Sequence, residues 1–208
     1  MQEFRQQNNA LIWEQGREIL HIEPWGKDSL RVRATVNPEI RQDLPGALLE
    51  PASADSQIEI GEARAIIRNG AIVAEIVPQG DFIHPNVQAS IRFFHAVTGT
   101  ELLAEAPGYF PRPAARQYKA VGGENFRLEV RFNAHDDERI YGMGQHQHGQ
   151  LNQKGCVIDQ VQYNTEVCIP FYLSSKGYGF LWNNPAVGRV EFGKDQTRWV
   201  AEATPQLD

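Results

Sequence analysis

Residues 138–185 hold the side chains best suited to chemistry. The amides Gln145, Gln147, Gln150, Asn152, Asn164, Asn183 and Asn184 are interleaved there with Tyr141, Tyr163, Phe171, Tyr172, Tyr178, Phe180 and Trp182. An uncharged amide offers a donor and an acceptor together, which suits a sugar hydroxyl, and the C–H face of a pyranose packs on a flat ring. A β-sheet with polar turns has the same composition, so composition alone leaves both readings open.

Three other groupings carry less. His146 and His148 form an H-x-H, which on a strand puts both rings on one face, as a metal site needs. No third ligand follows at a recognisable spacing; a distant residue such as His84 or His95 is the alternative that would complete a site, and no metal is expected. Asp136, Asp137 and Glu138 put carboxylates side by side, but glycoside hydrolysis needs two such groups about 5–10 Å apart across the bond. Three neighbours on one loop read as a solvated turn. Gly142-x-Gly144 lacks the third glycine and the apolar helix of a dinucleotide loop; it reads as a tight turn, and no cofactor is expected.

The elements that must position these residues are strands. Residues 17–23 (REILHIE) and 28–36 (DSLRVRATV) alternate apolar and charged, and Pro24-Trp25-Gly26-Lys27 joins them as a turn. Asn69-Gly70 between ARAIIR and AIVAEIV is a strong hairpin signal, read as a type I′ turn centred on those two residues. Residues 87–95, 101–104, 125–133, 167–173, 178–182, 188–192 and 197–203 read as further strands. Residues 1–10 read as a frayed lead-in, and 37–56 as a long loop. Residues 106–113 carry three prolines and cannot form a regular central strand. No amphipathic helix, repeat or interior linker stands out. Many short strands between turns indicate an all-β fold, an antiparallel two-sheet β-sandwich, read as one domain over 1–208.

The same stretch resembles a known family. Tyr141-Gly142-Met143-Gly144-Gln145, then Asn152, Lys154-Gly155 and Asn164 stand in order. Ile169-Pro170-Phe171-Tyr172, Ser174-Ser175-Lys176-Gly177-Tyr178-Gly179 and Trp182-Asn183-Asn184-Pro185 follow. Together they look like the N-terminal domain of glycoside hydrolase family 31, most of all its α-xylosidase and α-glucosidase branches. Gln145 departs from the Glu of many members. The resemblance implies a galactose-mutarotase-like sandwich standing before a catalytic (β/α)8 barrel, which is the expected partner. It puts the catalytic aspartates on that barrel, so none is expected in these residues. Members use a loop of this domain to help line the mouth of the active site. That implies substrate-side contacts, with α-linked xylosides or glucosides, from Tyr163, Asn164 and Thr165 and from the loop holding Gln145, His146 and His148.

Composition narrows the partners. With 41% hydrophobic and 22% charged residues the chain reads as globular rather than disordered. A net charge of −6 without a basic patch argues against nucleic acid. No apolar run approaches the roughly 18 residues of a membrane helix, so no membrane partner is expected. The polar start MQEFRQQNNA is no secretory signal, and two cysteines, Cys156 and Cys168, make no disulfide framework. A cytoplasmic location with reduced thiols is the expectation.

Three functions follow from these readings. The first is a non-catalytic accessory domain of a retaining α-glycosidase, bracing the barrel and shaping the aglycone side of its pocket. The second is a free-standing carbohydrate-binding module. The third is an aldose 1-epimerase, for which His84 or His95 with Glu166 would have to supply the base and acid.

Overall fold

The structure, a computed structural model, describes residues 3–51, 55–79, 88–106 and 114–208. These contain seventeen strands and no helix. The first sheet runs β1 (Glu3–Gln7), β2 (Ala10–Gln15), β3 (Glu18–Pro24) and β4 (Leu30–Thr35) in chain order. So does the second: β5 (Gln57–Ile60), β6 (Ala65–Asn69), β7 (Ile72–Gln79), β8 (Gln88–His95) and β9 (Glu101–Ala104). The third orders β10 (Arg116–Gly122), β11 (Asn125–Asn133), β17 (Gln196–Thr204), β16 (Gly188–Phe192) and β13 (Val157–Gln160). The fourth is β12 (Ile140–Gln145), β14 (Val167–Ser174) and β15 (Gly179–Leu181). All pairings are antiparallel, and the all-β sandwich holds, although the ladders divide into four sheets rather than two.

Alternation in sequence becomes alternation in burial. Along β3 every second residue is buried, and Leu20 and Ile22 join Trp13, Ile67, Val130 and Tyr172 in a core fed by all four sheets. Trp199 of β17 lies at its centre, with the rings of Phe180 and Trp182 each stacked 5.3 Å away. Stacked rings add to the apolar area they bury, so this cluster ties the fourth sheet to the third.

Several local expectations change. Of the expected frayed lead-in, residues 3–10 are ordered strand and turn: β1 pairs with β2 across an Asn8-Asn9 turn, and Phe4 packs on the core. The second hairpin turns one residue later than expected, at Gly70-Ala71, because Asn69 pairs with Ile72 as the last rung of the ladder. Only Gly70 has positive φ (56°), so the I′ assignment fails. The reason is a competing contact. Asn69 is buried and its Nδ2 donates to the carbonyls of Gly26 and Ser29, both at 2.7 Å, stapling this hairpin to the β3–β4 turn. Asp28 Oδ1 in turn accepts from the Ala71 amide at 2.7 Å. Residues 36–51 are irregular, as their prolines imply; 107–113, with Val87 and His84, lie outside the described residues.

Gly142 to Gly144 is not a turn but part of β12. Gly142, Met143 and Gly144 all have positive φ (119°, 72° and 93°), and the ladder to β14 shifts register between the two glycines. A Cβ on Gly144 would lie 1.9 Å from the Val167 carbonyl oxygen, so the strands approach there only because the residue is glycine. Met143, the one side chain in this kink, is fully buried.

One ionic cluster joins three sheets. Arg116 on β10 is buried, with Nε donating to Glu18 of β3 at 2.8 Å and Nη1 donating to Glu105, just after β9, at 2.5 and 2.6 Å. Its Nη2 donates to the Ala89 carbonyl of β8 at 2.7 Å. Burial pushes the Glu105 carboxyl up even though Arg116 opposes it.

Two predictions follow from this architecture. Arg116→Leu strands two buried carboxylates and should cost about 3–5 kcal/mol in urea unfolding. Glu105→Gln leaves one carboxylate to one guanidinium and should cost clearly less; equal losses would mean that charge balance does not govern the cluster. Gly144→Ala should lower stability by on the order of 1–3 kcal/mol through backbone strain, read by thermal unfolding. An unchanged melting temperature would show that the β12 kink is not constrained.

Candidate functional site

The kink in β12 delivers the chain into the loop that starts at Gln145. Gln145 pairs with Val167 at the end of the β12–β14 ladder, and the residues just before Val167 form a tight turn. There Tyr163 and Glu166 make an isolated bridge, with the Glu166 amide donating to the Tyr163 carbonyl at 3.3 Å. Asn164 and Thr165 are the exposed tip of this turn. The six residues expected from the sequence therefore come from two neighbouring segments that meet at one end of the fourth sheet.

Glu166 joins the two segments. Its Oε1 accepts from the Gln147 amide and its Oε2 faces His146 Nδ1, both at 3.3 Å. These contacts, the Gln147 amide first, hold the Glu166 carboxyl below the ordinary carboxylate range. His146 Nε2 lies 2.8 Å from the Met143 carbonyl, which can only accept. The His146 side chain is 6% exposed, which makes it a clamp on the kink and not a ligand reaching into solvent.

His148 stacks on His146 with centroids 5.6 Å apart and planes 10° from parallel, and its Nδ1 accepts from the Gln150 amide at 3.0 Å. The pair is stacked and does not converge on a point between the rings. Among the described residues no group of three His, Cys, Asp or Glu side chains is placed to hold a metal ion.

The amides divide into two sets. Asn152 Oδ1 accepts from the Ile140 and Lys154 amides, Asn183 Oδ1 accepts from the Ala47 amide, and Asn184 Nδ2 donates to Thr204. Gln162 brackets Cys168, its Oε1 accepting from the amide at 3.1 Å and its Nε2 donating to the carbonyl at 2.7 Å. These are staples of the fold. Gln145, Gln147 and Asn164 are exposed, with side-chain amides that have no partner among the described residues. With Tyr163, which is 54% exposed, they form a rim of uncharged donors and acceptors beside a flat ring.

Glu138 does not lie on a solvated turn. It is 5% exposed, and its Oε1 accepts from Ser174 Oγ at 2.5 Å and Tyr178 OH at 2.7 Å. Burial pushes the Tyr178 hydroxyl far above its ordinary range, so it stays a donor. The available signal was parity: Glu138 stands two before buried Ile140, on the inward side. His95 is engaged locally. Its Nδ1 accepts from the Val97 and Thr98 amides at 3.4 and 3.3 Å, capping its own turn, while Glu166 is held by His146 and Gln147. Trp182 is a core residue, and Cys156 and Cys168 are free thiols.

Comparison with known proteins fixes the context of this geometry. Residues 3–191 match the glycosyl hydrolase 31 N-terminal galactose mutarotase-like domain. The chain is 36% identical over its whole length to "Uncharacterized family 31 glucosidase ORF2" of Pseudescherichia vulneris, covering 41% of that protein. It is 33% identical over 99% of its length to α-xylosidase A of Aspergillus niger, covering 29% of that protein. It thus spans less than half the length of the curated relatives it matches. The crystal structure of a GH31 α-xylosidase from a soil metagenome, complexed with xylose, superposes with a TM-score of 0.90 at 37% identity. That match covers 99% of this chain and 31% of the other. With a family match across 3–191 and relatives of the α-xylosidase type along the whole chain, the protein belongs to the glycoside hydrolase family 31 N-terminal, galactose-mutarotase-like domains.

Proposed function

We propose that this domain serves a retaining α-glycosidase of the α-xylosidase type as its accessory domain, docking a catalytic barrel and shaping the aglycone side of the barrel's pocket. The observation that carries the reading is the outer face of β14. Val167, Ile169, Phe171 and Leu173 point outward in alternation and are 46, 50, 37 and 54% exposed. Cys168, Tyr172 and Ser174 point inward. Four large apolar side chains in line on one exposed strand face are what an interface leaves uncovered when its partner is removed.

The rim is continuous with that stripe. Gln145 pairs with Val167, the first residue of the stripe, and the Tyr163–Glu166 turn runs directly into it. A barrel seated on β14 would meet Gln145, His148, Tyr163, Asn164 and Thr165 at the edge of the interface. There the free amides and the Tyr163 ring suit a sugar unit leaving the catalytic pocket. His146 and Glu166 hold the two segments together and would act as positioning residues.

The purified chain should hydrolyse neither aryl α-xyloside nor aryl α-glucoside. Turnover that survives purification would place catalytic carboxylates within these residues and overturn the reading. The chain should bind an apolar dye and self-associate in light scattering. The double variant Ile169→Asp/Phe171→Asp should lose both properties while melting within about 3 °C of the parent, because exposed substitutions cost little. Dye binding and association that persist in the variant would rule out β14 as the docking face.

A further inference from the structure

The outer face of the first sheet carries a second concave surface, built from other residues. The register sets Arg5 beside Ile12, Ile12 beside His21 and His21 beside Arg33, one residue from each strand in a row across the sheet. Trp13, Leu20 and Ala34 face the core from the other side. The irregular segment 36–51 supplies the opposite wall and leaves a cleft of about 730 Å³. Side chains hold that wall down. Gln206 brackets Arg41, its Oε1 accepting from the amide at 2.9 Å and its Nε2 donating to the carbonyl at 3.2 Å. Asn183 accepts from the Ala47 amide at 2.8 Å.

Arg33 organises the cleft. Only 2% exposed, it donates from Nη1 to Gln42 Oε1 at 2.6 Å. Its Nη2 donates to Glu23 Oε1 at 2.6 Å and to His21 Nδ1 at 3.0 Å. A guanidinium has only donors, so His21 Nδ1 is an acceptor and the ring proton sits on Nε2. Burial, helped by Arg33, Arg31 and Arg5 and opposed by Glu23, holds the His21 ring below its ordinary range and keeps it neutral.

Each partner of Arg33 keeps one atom without a partner among the described residues. His21 Nε2 and Gln42 Nε2 are donors, and Glu23 Oε2 is an acceptor. One buried guanidinium therefore fixes two donors and an acceptor at a single cleft. The charges are paired, Arg33 with Glu23 and Arg5 with Glu14, and Glu39 adds a further negative charge. That balance disfavours an anion. A neutral ligand whose adjacent groups both donate and accept fits it, and the volume suits a small ligand of one or two rings.

We propose that this cleft is a second carbohydrate site, separate from the rim, which holds a neutral pyranose unit through vicinal hydroxyls on His21, Gln42 and Glu23. The choice of a sugar over other polyols rests on the accessory-domain reading; the donor and acceptor geometry does not. The test is an NMR titration of the chain with xylose, xylobiose and maltotriose, following the His21 ring and the Gln42 side-chain amide. At least one sugar should shift both groups saturably in the millimolar range. Gln42→Ala, on an exposed residue, should weaken binding about tenfold, or about 1.4 kcal/mol. Glu23→Gln, which keeps an acceptor for Arg33, should weaken it as well.

The proposal falls if no sugar shifts these resonances, or if neither variant alters the shifts. It also falls if sodium phosphate or acetate saturates the same groups more tightly than any sugar. Shifts confined to His146 and Tyr163 would overturn the cleft while leaving the rim standing. Saturation at His21 together with a failed β14 docking test would do the reverse.

Discussion

Three of the four sheets are tied to one guanidinium. Arg116 takes Glu18 from the first sheet and Glu105 and the Ala89 carbonyl from the second, and is itself on the third. A buried charge is tolerated only with its partners in place, so sheets that drift apart would expose both carboxylates to an apolar interior. Well-packed apolar residues often fill the volume of a buried ion pair with no loss of stability. What the charged version adds is geometry, because bonds this short admit one relative placement of β3, β9 and β10. Tyr118 completes the cluster by donating to Glu18 at 3.2 Å, and burial keeps its hydroxyl protonated.

The rim depends on a second constraint, the kink of β12. A non-glycine residue with φ of 72° costs on the order of 1–3 kcal/mol. Met143 offsets that by placing its whole side chain in the core, worth about 1.5–3 kcal/mol. The two terms are close, so the His146 contact to the Met143 carbonyl and the glycines on either side settle the balance in favour of the kink. The loop from Gln145 therefore leaves the sheet in a direction set by packing beneath it. Glu166 then transfers that direction to the turn at Tyr163.

Strands whose side chains alternate were legible in the sequence. β9, β11 and β16 have the limits their patterns suggest, and β3, β4, β7 and β17 differ only at their ends. β1 was not legible, because EFRQQ has one apolar residue and the Asn8-Asn9 turn that pairs it with β2 reads as polar tail. The Asn69-Gly70 signal marked the right hairpin and the wrong centre. Local turn chemistry lost to two bonds made by Asn69 to a segment forty residues earlier. Arg116 and Arg33 were invisible for a simpler reason: a single charged residue in a sequence reads as solvent-facing, and only its distant partners show otherwise. The family motifs gave the neighbourhood of the rim, but nothing in them revealed Glu166 as the residue that joins its two halves.

The abundance of amides has a physical cause that is separate from sugar chemistry. Each loop that crosses the sandwich brings backbone groups that no strand can pair. A charged side chain could satisfy an N–H or a C=O, but not both, and would carry a desolvation cost. A side-chain amide meets both from one plane, as Gln162 does for Cys168 and Gln206 for Arg41. The same property makes an amide a good partner for a hydroxyl. Composition therefore cannot separate a staple from a binding group, whereas geometry can. An amide with both ends used belongs to the fold. Gln145, Gln147 and Asn164, with neither end of the side chain used among the described residues and all three exposed beside Tyr163, are left facing outward with their hydrogen-bonding capacity intact.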